Sequence, residues 1–525
     1  SDAPEVAVPL APLAPLAGQQ SQPQPERRAV QRRRRVLRRA VLDRISSQRS
    51  LSLSDADTRS VDSKDDSRED AILDDKLRAV LLLPAFRRAA LQMERVLAAQ
   101  AFKPAQELYR GLPPTDPLAP DLRFEYRLHP LWRMECEWAA GRAVTGLVWN
   151  DDNPDLLAVG YGRYLQQDQA TGLVCMWSAK NPLLPERMYR FAAPVTAISF
   201  ARTRPNLLAV GMADGGLALL DVSAPEKSVV ADAGDTSESG VASPSWEPLW
   251  SMMWMSGEEF HLDEQVLVTA GQDGQVVRWR RGERGVEWTP MLRVPMAEGG
   301  EKGVPRLLAA SGTCPERGVG LRQFAGVLCM APVPLDPVRY LVGTEDGCVH
   351  ECSTNYLHQH KSVFVAHAGP VYRLSFSPFC EKLFLTCGAD WTVRIWALGV
   401  NEPLVTLAAG MQSVEDASWC PRNSTIIASI SGDEVCMWDL RRKTYVPASR
   451  TPWSYPSPPT ALLFSPGQDN ILVGDRDGRI VTFALQDMPL APYYQTKALV
   501  ASLERVLVTK PALLASLKKL GEPFV

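Results

Sequence analysis

The residues of this chain best suited to bind a metal ion lie close together, between positions 348 and 367. They are two cysteines and four histidines: Cys348, Cys352, His350, His358, His360 and His367. The first three alternate along one predicted strand, and alternate residues of a strand share a face, so thiolate and imidazole ligands for zinc could converge there. Position 352 is also where a sequence repeat ends, usually with an aromatic residue. That coincidence favours a strand buried in a structural core, with histidines in the following strand and turn, over a metal site.

Other signatures of chemistry are missing from the sequence. There is no Walker phosphate loop, no G-x-S-x-G nucleophile turn, no H-E-x-x-H helix and no C-x-x-C pair. We therefore predict no catalytic residues, no metal, no cofactor and no enzymatic activity. The net charge of −3 creates no field that would attract nucleic acid. The ten cysteines lack paired spacing, as expected for reduced thiols of an intracellular protein, and no apolar run is long enough to cross a membrane.

A phrase of about 40–45 residues recurs seven times, and it indicates which elements position these residues. Each copy has an acidic residue, usually a glycine, then an alternating apolar strand and a closing residue that is most often aromatic. The closing residues are Trp177, Leu220, Trp279, Cys352, Trp396, Trp438 and Phe483. Asp-Gly between two apolar runs suits a tight hairpin, since glycine accepts positive φ. This period is typical of a WD-repeat β-propeller, whose four-stranded blades bury their faces against one another.

We predict an all-β fold, a seven-bladed WD-repeat β-propeller over residues 126–490. An open ring would expose two sheet edges, so a strand from the other end of the chain should close it. Residues 131–138 alternate apolar and polar side chains and are predicted to form the outermost strand of the last blade. An isolated strand beside the preceding helix is the alternative. Two long gaps in the repeat, residues 225–244 and 282–320, are interpreted as surface loops between blades.

Residues 1–75 are predicted to form a largely disordered arm. Ten arginines between residues 27 and 49 precede an acidic stretch that extends to residue 75, which suggests a docking or regulatory role. The basic block lacks interleaved aromatic residues, which disfavours nucleic-acid binding. Ser50 and Ser52 follow it, and Arg49 lies three residues before Ser52, as a basophilic kinase requires; an unmodified serine-rich linker is the alternative. The chain begins with Ser1, which suggests a fragment of a longer protein.

Residues 76–125 are predicted to form a helical segment and a linker. Pro84 suits the first turn of a helix. Apolar residues then follow at helical spacing: Phe86, Ala90, Met93, Leu97 and Ala101. This stripe either enters a partner's groove or packs against the chain's own propeller. A short helical tail is predicted for residues 491–525.

Several phrases of the predicted propeller resemble axonemal dynein intermediate chains. Residues 143–162 match the first blade of that family, and Lys180-Asn181-Pro182, followed by Pro185 and Glu186, is typical of its axonemal members. Further matches lie at residues 206–215, 369–380, 389–396 and 473–478. The resemblance covers roughly residues 70–490 and is strongest to the WD-repeat intermediate chain of the two-headed inner-arm dynein. The Lys-Asn-Pro phrase argues against another WD-repeat scaffold, such as a ubiquitin-ligase adaptor or a chromatin subunit.

The resemblance implies a non-catalytic scaffold subunit of a microtubule motor complex, in the cytoplasm and in the cytoskeleton of the ciliary or flagellar axoneme. In that family the propeller binds the tail of dynein heavy chains, and the preceding segment recruits light chains. Phe86, Ala90, Met93 and Leu97 would then form the light-chain-binding helix. Roadblock-type and Tctex-type light chains and a second intermediate chain are the other implied partners, and an outer-arm intermediate chain is the alternative. The sequence contains no Thr-Gln-Thr triad, so the light chain that reads this triad has no obvious docking site.

Overall fold

The computed structural model describes most of the chain after residue 82. The described residues are 83–111, 124–162, 171–224, 229–233, 241–256, 265–282, 285–297, 324–334, 336–357, 359–467 and 469–519. The chain divides into two units, residues 1–87 and 88–525. In the first unit only residues 83–87 are described, and they begin helix α1 (Pro84–Tyr109). The predicted arm, with Ser50 and Ser52, lies outside the described residues. No described helix has both the length and the apolar character that a membrane span requires.

The second unit contains seven four-stranded antiparallel sheets, which we number as blades 1 to 7. Blades 1 to 3 contain β2–β5 (Ala143–Trp149, Leu156–Gly162, Gly172–Ser178, Arg187–Phe191), β6–β9 (Val195–Phe200, Leu207–Met212, Leu217–Asp221, Val229–Ala233) and β10–β13 (Leu249–Ser256, Gln265–Gly271, Gln275–Gly282, Gly285–Arg293). Blades 4 to 6 contain β14–β17 (Val327–Pro332, Arg339–Thr344, Cys348–Ser353, Ser362–Val365), β18–β21 (Val371–Phe376, Leu383–Gly388, Thr392–Ala397, Val405–Ala408) and β22–β25 (Val414–Trp419, Ile426–Ser431, Glu434–Asp439, Ser449–Pro452). Blade 7 contains β26–β28 (Pro459–Phe464, Asn470–Asp475, Ile480–Gln486) and β1 (Arg127–Met134). The predicted seven-bladed β-propeller is confirmed.

The first strand of every blade lines a central cavity of about 720 Å³. Successive strands of a blade run in opposite directions, so its connections alternate between the two faces of the ring. We call upper the face that carries the loops entering each first strand and the turns between second and third strands. The lower face carries the remaining connections. Residues on the same face can contact the same partner protein, whereas residues on opposite faces cannot easily do so.

The interpretation of the two long gaps as loops is wrong in part. Val229–Ala233 forms the outer strand of blade 2, and Gly285–Arg293 forms the outer strand of blade 3. The outer strand of a blade is an edge that buries less of its surface than the strands inside it, so polar sequence is compatible with it. The composition of these segments therefore concealed two strands.

Ring closure by the N-terminal side of the chain is confirmed. β1 pairs antiparallel with β28, from Arg127 opposite Gln486 to Met134 opposite Ile480. The predicted bounds are wrong by four residues, because the strand ends at Met134 and residues 135–142 form the loop into blade 1. Pro130 concealed the true start of the strand. Proline cannot donate to a β-ladder, and an edge strand tolerates it, here with a shift in register between Pro130 and Trp132.

The closing aromatic residues of the repeats hold the blades together from inside. Trp279, Trp396 and Trp438 are buried, and each indole donates a hydrogen bond of 2.8–2.9 Å to a hydroxyl on the second strand of its own blade. Burial of the indole and pairing of its N–H therefore occur together. The bond fixes the register of the second and third strands.

Blade 5 extends this contact into a network. Thr386, which accepts from Trp396, lies 2.7 Å from Nε2 of His367, and Nδ1 of His367 lies 2.7 Å from Oδ1 of Asp390. Burial opposes ionisation of Asp390, yet hydrogen bonds from His367, Thr392 and the Ala368 N–H hold the pKa of Asp390 below its ordinary value. The turn of blade 5 is thus tied to the loop that enters the blade.

The predicted C-terminal helical tail consists of two helices. These are α2 (Gln495–Leu507) and α3 (Pro511–Lys519). Leu499, Leu503 and Leu517 are buried in a cluster with Leu404 of blade 5 and Leu440 of blade 6. Both helices therefore belong to the propeller core and present no separate domain.

Shortening a buried side chain of the closing strand should destabilise the whole ring. Met134 is 1% exposed within the core between blades 7 and 1, so Met134→Ala should lower the free energy of unfolding by roughly 2–5 kcal/mol. His129→Ala, at an exposed position of the same strand, is the matched control. Denaturant unfolding followed by tryptophan fluorescence measures both variants. Equal stability of the two variants would show that β1 does not close the ring.

Candidate binding surfaces for partner proteins

Helix α1 packs against the junction of blades 7 and 1 with its C-terminal half. Tyr109 is buried in the apolar cluster between blades 7 and 1, and Phe102 and Ala105 pack against that cluster. Ala98 is also buried. The rings of Phe102 and Tyr109 lie 6.5 and 5.1 Å from Trp132 of the closing strand. The hydroxyl of Tyr109 is 3.0 Å from that of Ser465, and burial raises the pKa of Tyr109 to about 12. The helix therefore rests on the strand that closes the ring.

The loop after β4 makes further polar contacts with this helix. Nδ2 of Asn181 donates to Glu94 at 2.9 Å, and the carbonyl of Lys180 accepts from Gln106 at 3.1 Å. Glu186 forms an ion pair of 2.8 Å with Arg95. Lys180, Asn181 and Glu186 belong to the phrase on which the family resemblance rests. The side chain of Asn181 is buried, which explains why this position requires an amide that can both donate and accept.

The predicted stripe lies on a different, exposed face of α1. Met93 is 70% exposed, Leu97 is 54% exposed, and Phe86, Ala90 and Ala101 are also exposed. The helix does pack on its own propeller, but through Ala98, Phe102, Ala105 and Tyr109 instead of the stripe. These four positions also follow helical spacing, and Pro104 inside the helix concealed this second apolar face. Leu91 and Val96 add exposed apolar surface near the stripe that the sequence pattern did not identify.

Three of the six candidate metal ligands are buried in blade 4. Cys348, His350 and Cys352 lie on β16 and are buried. Burial lowers the pKa of His350 to about 4, and its ring stacks edge-on against His360 at 5.1 Å. His367 belongs to the blade 5 network, and His358 lies outside the described residues. Across the described part of the chain, no three His, Cys, Asp or Glu residues are placed to share a metal ion.

The upper face carries large exposed apolar side chains. Trp138, Trp246 and Met411 stand on loops entering blades 1, 3 and 6, and Trp391 stands on the turn between β19 and β20. Aromatic residues dominate the energetics of protein interfaces. An array of this kind on one face of a ring is a candidate contact surface.

Trp391 has an unusual backbone conformation. Its φ is +67°, whereas the matching turns of four other blades place glycine there: Gly215, Gly274, Gly347 and Gly478, with φ between +76° and +85°. A bulky residue in this left-handed region costs roughly 1–2 kcal/mol. The indole is 47% exposed, so the free energy gained by burying this side chain offsets only part of the cost of the left-handed backbone conformation. Strain of this kind at an exposed position is a feature of functional sites.

Comparisons with known proteins first define the class. The family model "WD domain, G-beta repeat" matches residues 358–397, the segment that contains the His367 and Asp390 network of blade 5. Together with seven four-stranded blades in a closed ring, this match makes the chain a WD-repeat β-propeller protein.

The most informative relatives are axonemal. "Dynein axonemal intermediate chain 4" of Mus musculus is 31% identical over 501 residues, which cover 85% of this chain and 60% of the relative. The protein of the same name from Danio rerio is 32% identical over 78% of this chain and 52% of its own length. "Dynein, 78 kDa intermediate chain, flagellar outer arm" of Chlamydomonas reinhardtii is 29% identical over 69% of this chain and 51% of its own length. The resemblance to axonemal dynein intermediate chains is confirmed, and the chain spans 60% or less of the length of these relatives.

Charge on the buried face of α1 should release the helix. Ala98 is fully buried, so Ala98→Glu places an unpaired carboxylate out of contact with water, which is strongly unfavourable. Ala101→Glu introduces the same side chain at an exposed position of the same helix and should leave the helix bound. Hydrogen exchange of residues 88–109 measures the difference. Equal protection in the two variants would contradict the observed packing of α1.

Proposed function

We propose that the chain is a non-catalytic intermediate chain of an axonemal dynein, of the inner-arm type, that acts as a scaffold in cilia or flagella. The observation that carries this proposal is the docking of α1 by Lys180 and Asn181, because the phrase typical of the family is the one that positions the helix. The similarity to named intermediate chains supports the same function. An outer-arm role is the second candidate, since one relative is named for the outer arm.

The exposed stripe of α1 is proposed to recruit a dimeric light chain of the roadblock type. The helix is held by Glu94, Arg95 and Gln106 on one side, so the stripe is presented in a fixed orientation. A preorganised helix loses less conformational freedom when it binds. Tctex-type light chains and a second intermediate chain are the further partners that the family resemblance implies.

Charge in the stripe should abolish light-chain binding without unfolding the ring. Met93→Asp together with Leu97→Asp should weaken capture of a roadblock-type light chain at least about a hundredfold, since desolvating a carboxylate costs several kcal/mol. Gln92→Asp, an adjacent exposed position at a different angle on α1, is the control. Affinity purification of the full chain from ciliated cells, with quantification of dynein subunits, is the measurement. Undiminished light-chain recovery with the double variant would refute this site.

The same purification tests the function as a whole. The unmodified chain should recover dynein heavy and light chains. Recovery of ubiquitin-ligase or chromatin subunits in their place would identify a different WD-repeat scaffold. Recovery of no stable partner would also contradict the proposal.

The upper face is proposed to contact the tail of a heavy chain. Its exposed apolar residues lie on a face whose connections are separate from those that hold α1, so the two partners would not compete. Trp391 is the expected anchor, because its turn holds a half-exposed indole in a fixed conformation and so reduces the entropic cost of binding.

Trp391→Gly should weaken heavy-chain binding without changing the stability of the propeller. Glycine accepts the left-handed conformation, so relief of strain should offset the lost packing and leave the free energy of unfolding unchanged within about 1 kcal/mol. Heavy-chain recovery should fall about 30-fold or more, as for loss of an interface hot spot. Tyr445→Ala removes an aromatic residue that is 69% exposed on the lower face and should leave recovery intact. Unchanged recovery with Trp391→Gly would exclude this turn from the interface.

A further inference from the structure

Two cysteines meet where the ring closes. Cys136 follows β1 on the loop into blade 1, and Cys175 lies on β4. Both pack into the apolar cluster between blades 7 and 1, and their thiols are neighbours, since each is the largest influence on the pKa of the other. Cys175 is buried, whereas Cys136 is partly exposed. The pair therefore combines a partly exposed cysteine with a buried one.

The pair occupies the position that a polar network fills in blade 5. Cys175 lies two residues before Trp177, as Arg394 lies two residues before Trp396. Arg394 binds the carbonyl of Ala366 and the carboxylate of Asp390, and both partners belong to the polar contacts that fasten that blade. At the corresponding positions blade 1 has thiols in place of the polar groups of blade 5.

The loop into blade 1 confirms this correspondence. A Cβ added at Gly478 would meet the carbonyl oxygen of Ala139 at 2.2 Å, and one added at Gly347 would meet that of His367 at 2.3 Å. Ala139 therefore takes the place of His367. With alanine at this position the network of blade 5 cannot form in blade 1, and Cys136 lies three residues before it in the same loop.

The surroundings of Cys136 favour its thiolate. The neighbouring thiol of Cys175 is the largest favourable influence on it, and the backbone N–H groups of Ala139 and Trp138 and the positive charge of Arg142 act in the same direction. These groups outweigh partial burial and lower the pKa of Cys136 to about 7. The neighbouring Cys136 thiol and burial raise the pKa of Cys175. A thiolate with a pKa near the ambient pH is an effective nucleophile.

We propose that Cys136 and Cys175 are a peroxide-sensitive thiol pair whose oxidation cross-links the closure of the propeller. The Cys136 thiolate attacks one oxygen of hydrogen peroxide, the O–O bond breaks, and a sulfenic acid and hydroxide form. The thiol of Cys175 then displaces the hydroxyl of the sulfenic acid, and the S–S bond forms as water leaves. The hydroxide takes up the proton that Cys136 released on ionising, so two thiols lose two electrons in total and one peroxide is reduced to two waters.

The disulfide would act on the part of the fold that the ring depends on. It would join the loop that follows the closing strand to the third strand of blade 1, so the first two strands of that blade would lie within a covalent loop. Cross-links stabilise a fold mainly by restricting its unfolded state. Oxidation should therefore make the ring harder to open. This inference does not depend on the proposed function.

Alkylation of the reduced full chain tests the reactivity of Cys136. N-ethylmaleimide labelling from pH 6 to 9, with each cysteine quantified by mass spectrometry, should place the half-maximal rate of Cys136 near pH 7. An ordinary thiol with a pKa of about 8.5 has about one-fifteenth of that thiolate fraction at pH 7. A half-maximal rate at pH 8.5 or above would overturn the assignment of Cys136 as the reactive thiol.

Peroxide treatment of the folded chain tests the cross-link. Non-reducing peptide mapping should recover a peptide that joins residues 136 and 175, and the apparent Tm should rise and fall back after reduction. Cys136→Ser should abolish both effects, and Cys175→Ser should leave a sulfenic acid that dimedone traps. Cys420→Ser, at a buried cysteine of blade 6, is the control and should leave both effects intact. Absence of the 136–175 peptide from the oxidised unmodified chain would overturn the proposal, even if a variant failed to fold.

Discussion

The antiparallel pairing of β1 with β28 is the contact on which the remaining structure depends. Building one blade from both ends of the chain ties the last blade to the first and leaves only the outer strands of the blades as edges. This pairing brings Trp132 beneath Phe102 and Tyr109 of α1, and it brings the loop that contains Cys136 against Cys175. Closure, the docking of the helix and the thiol pair therefore share a single apolar junction between blades 7 and 1.

Because α1 is docked on the propeller, it is already ordered before any partner binds. An amphipathic helix on a flexible arm would have to be ordered at the moment of binding, at a cost in conformational entropy. Here the propeller supplies that order, because Asn181 and Glu186 hold Glu94 and Arg95. One apolar face is used by the junction and the other stays exposed, so the same helix can be part of the fold and part of an interface.

The two faces of the ring offer surfaces of different kinds. The loops of the lower face hold α1, whereas the exposed tryptophans Trp138, Trp246 and Trp391 stand on connections of the upper face. Blade 5 shows how an exposed side chain is kept in place there. Asp390 is tied to His367 and Thr392, so the next residue, Trp391, is held in a conformation that an isolated turn would avoid. A rigid ring with two separate surfaces is suited to holding two partners at once.

The sequence predicted the repeat because the structure of a blade is determined locally. Strand alternation, an Asp-Gly turn and a buried closing aromatic residue recur within each unit of about 40–45 residues. The closing strand was also predictable, since its alternation survives, although Pro130 shifted the predicted start. The outer strands Val229–Ala233 and Gly285–Arg293 were missed because edge positions tolerate polar residues. Only the tertiary structure decided which face of α1 is buried, since both faces have helical spacing and the choice depends on the shape of the junction around Trp132. It alone also brought Cys136 to Cys175, residues 39 positions apart in the sequence, because closing the ring joins blade 7 to blade 1.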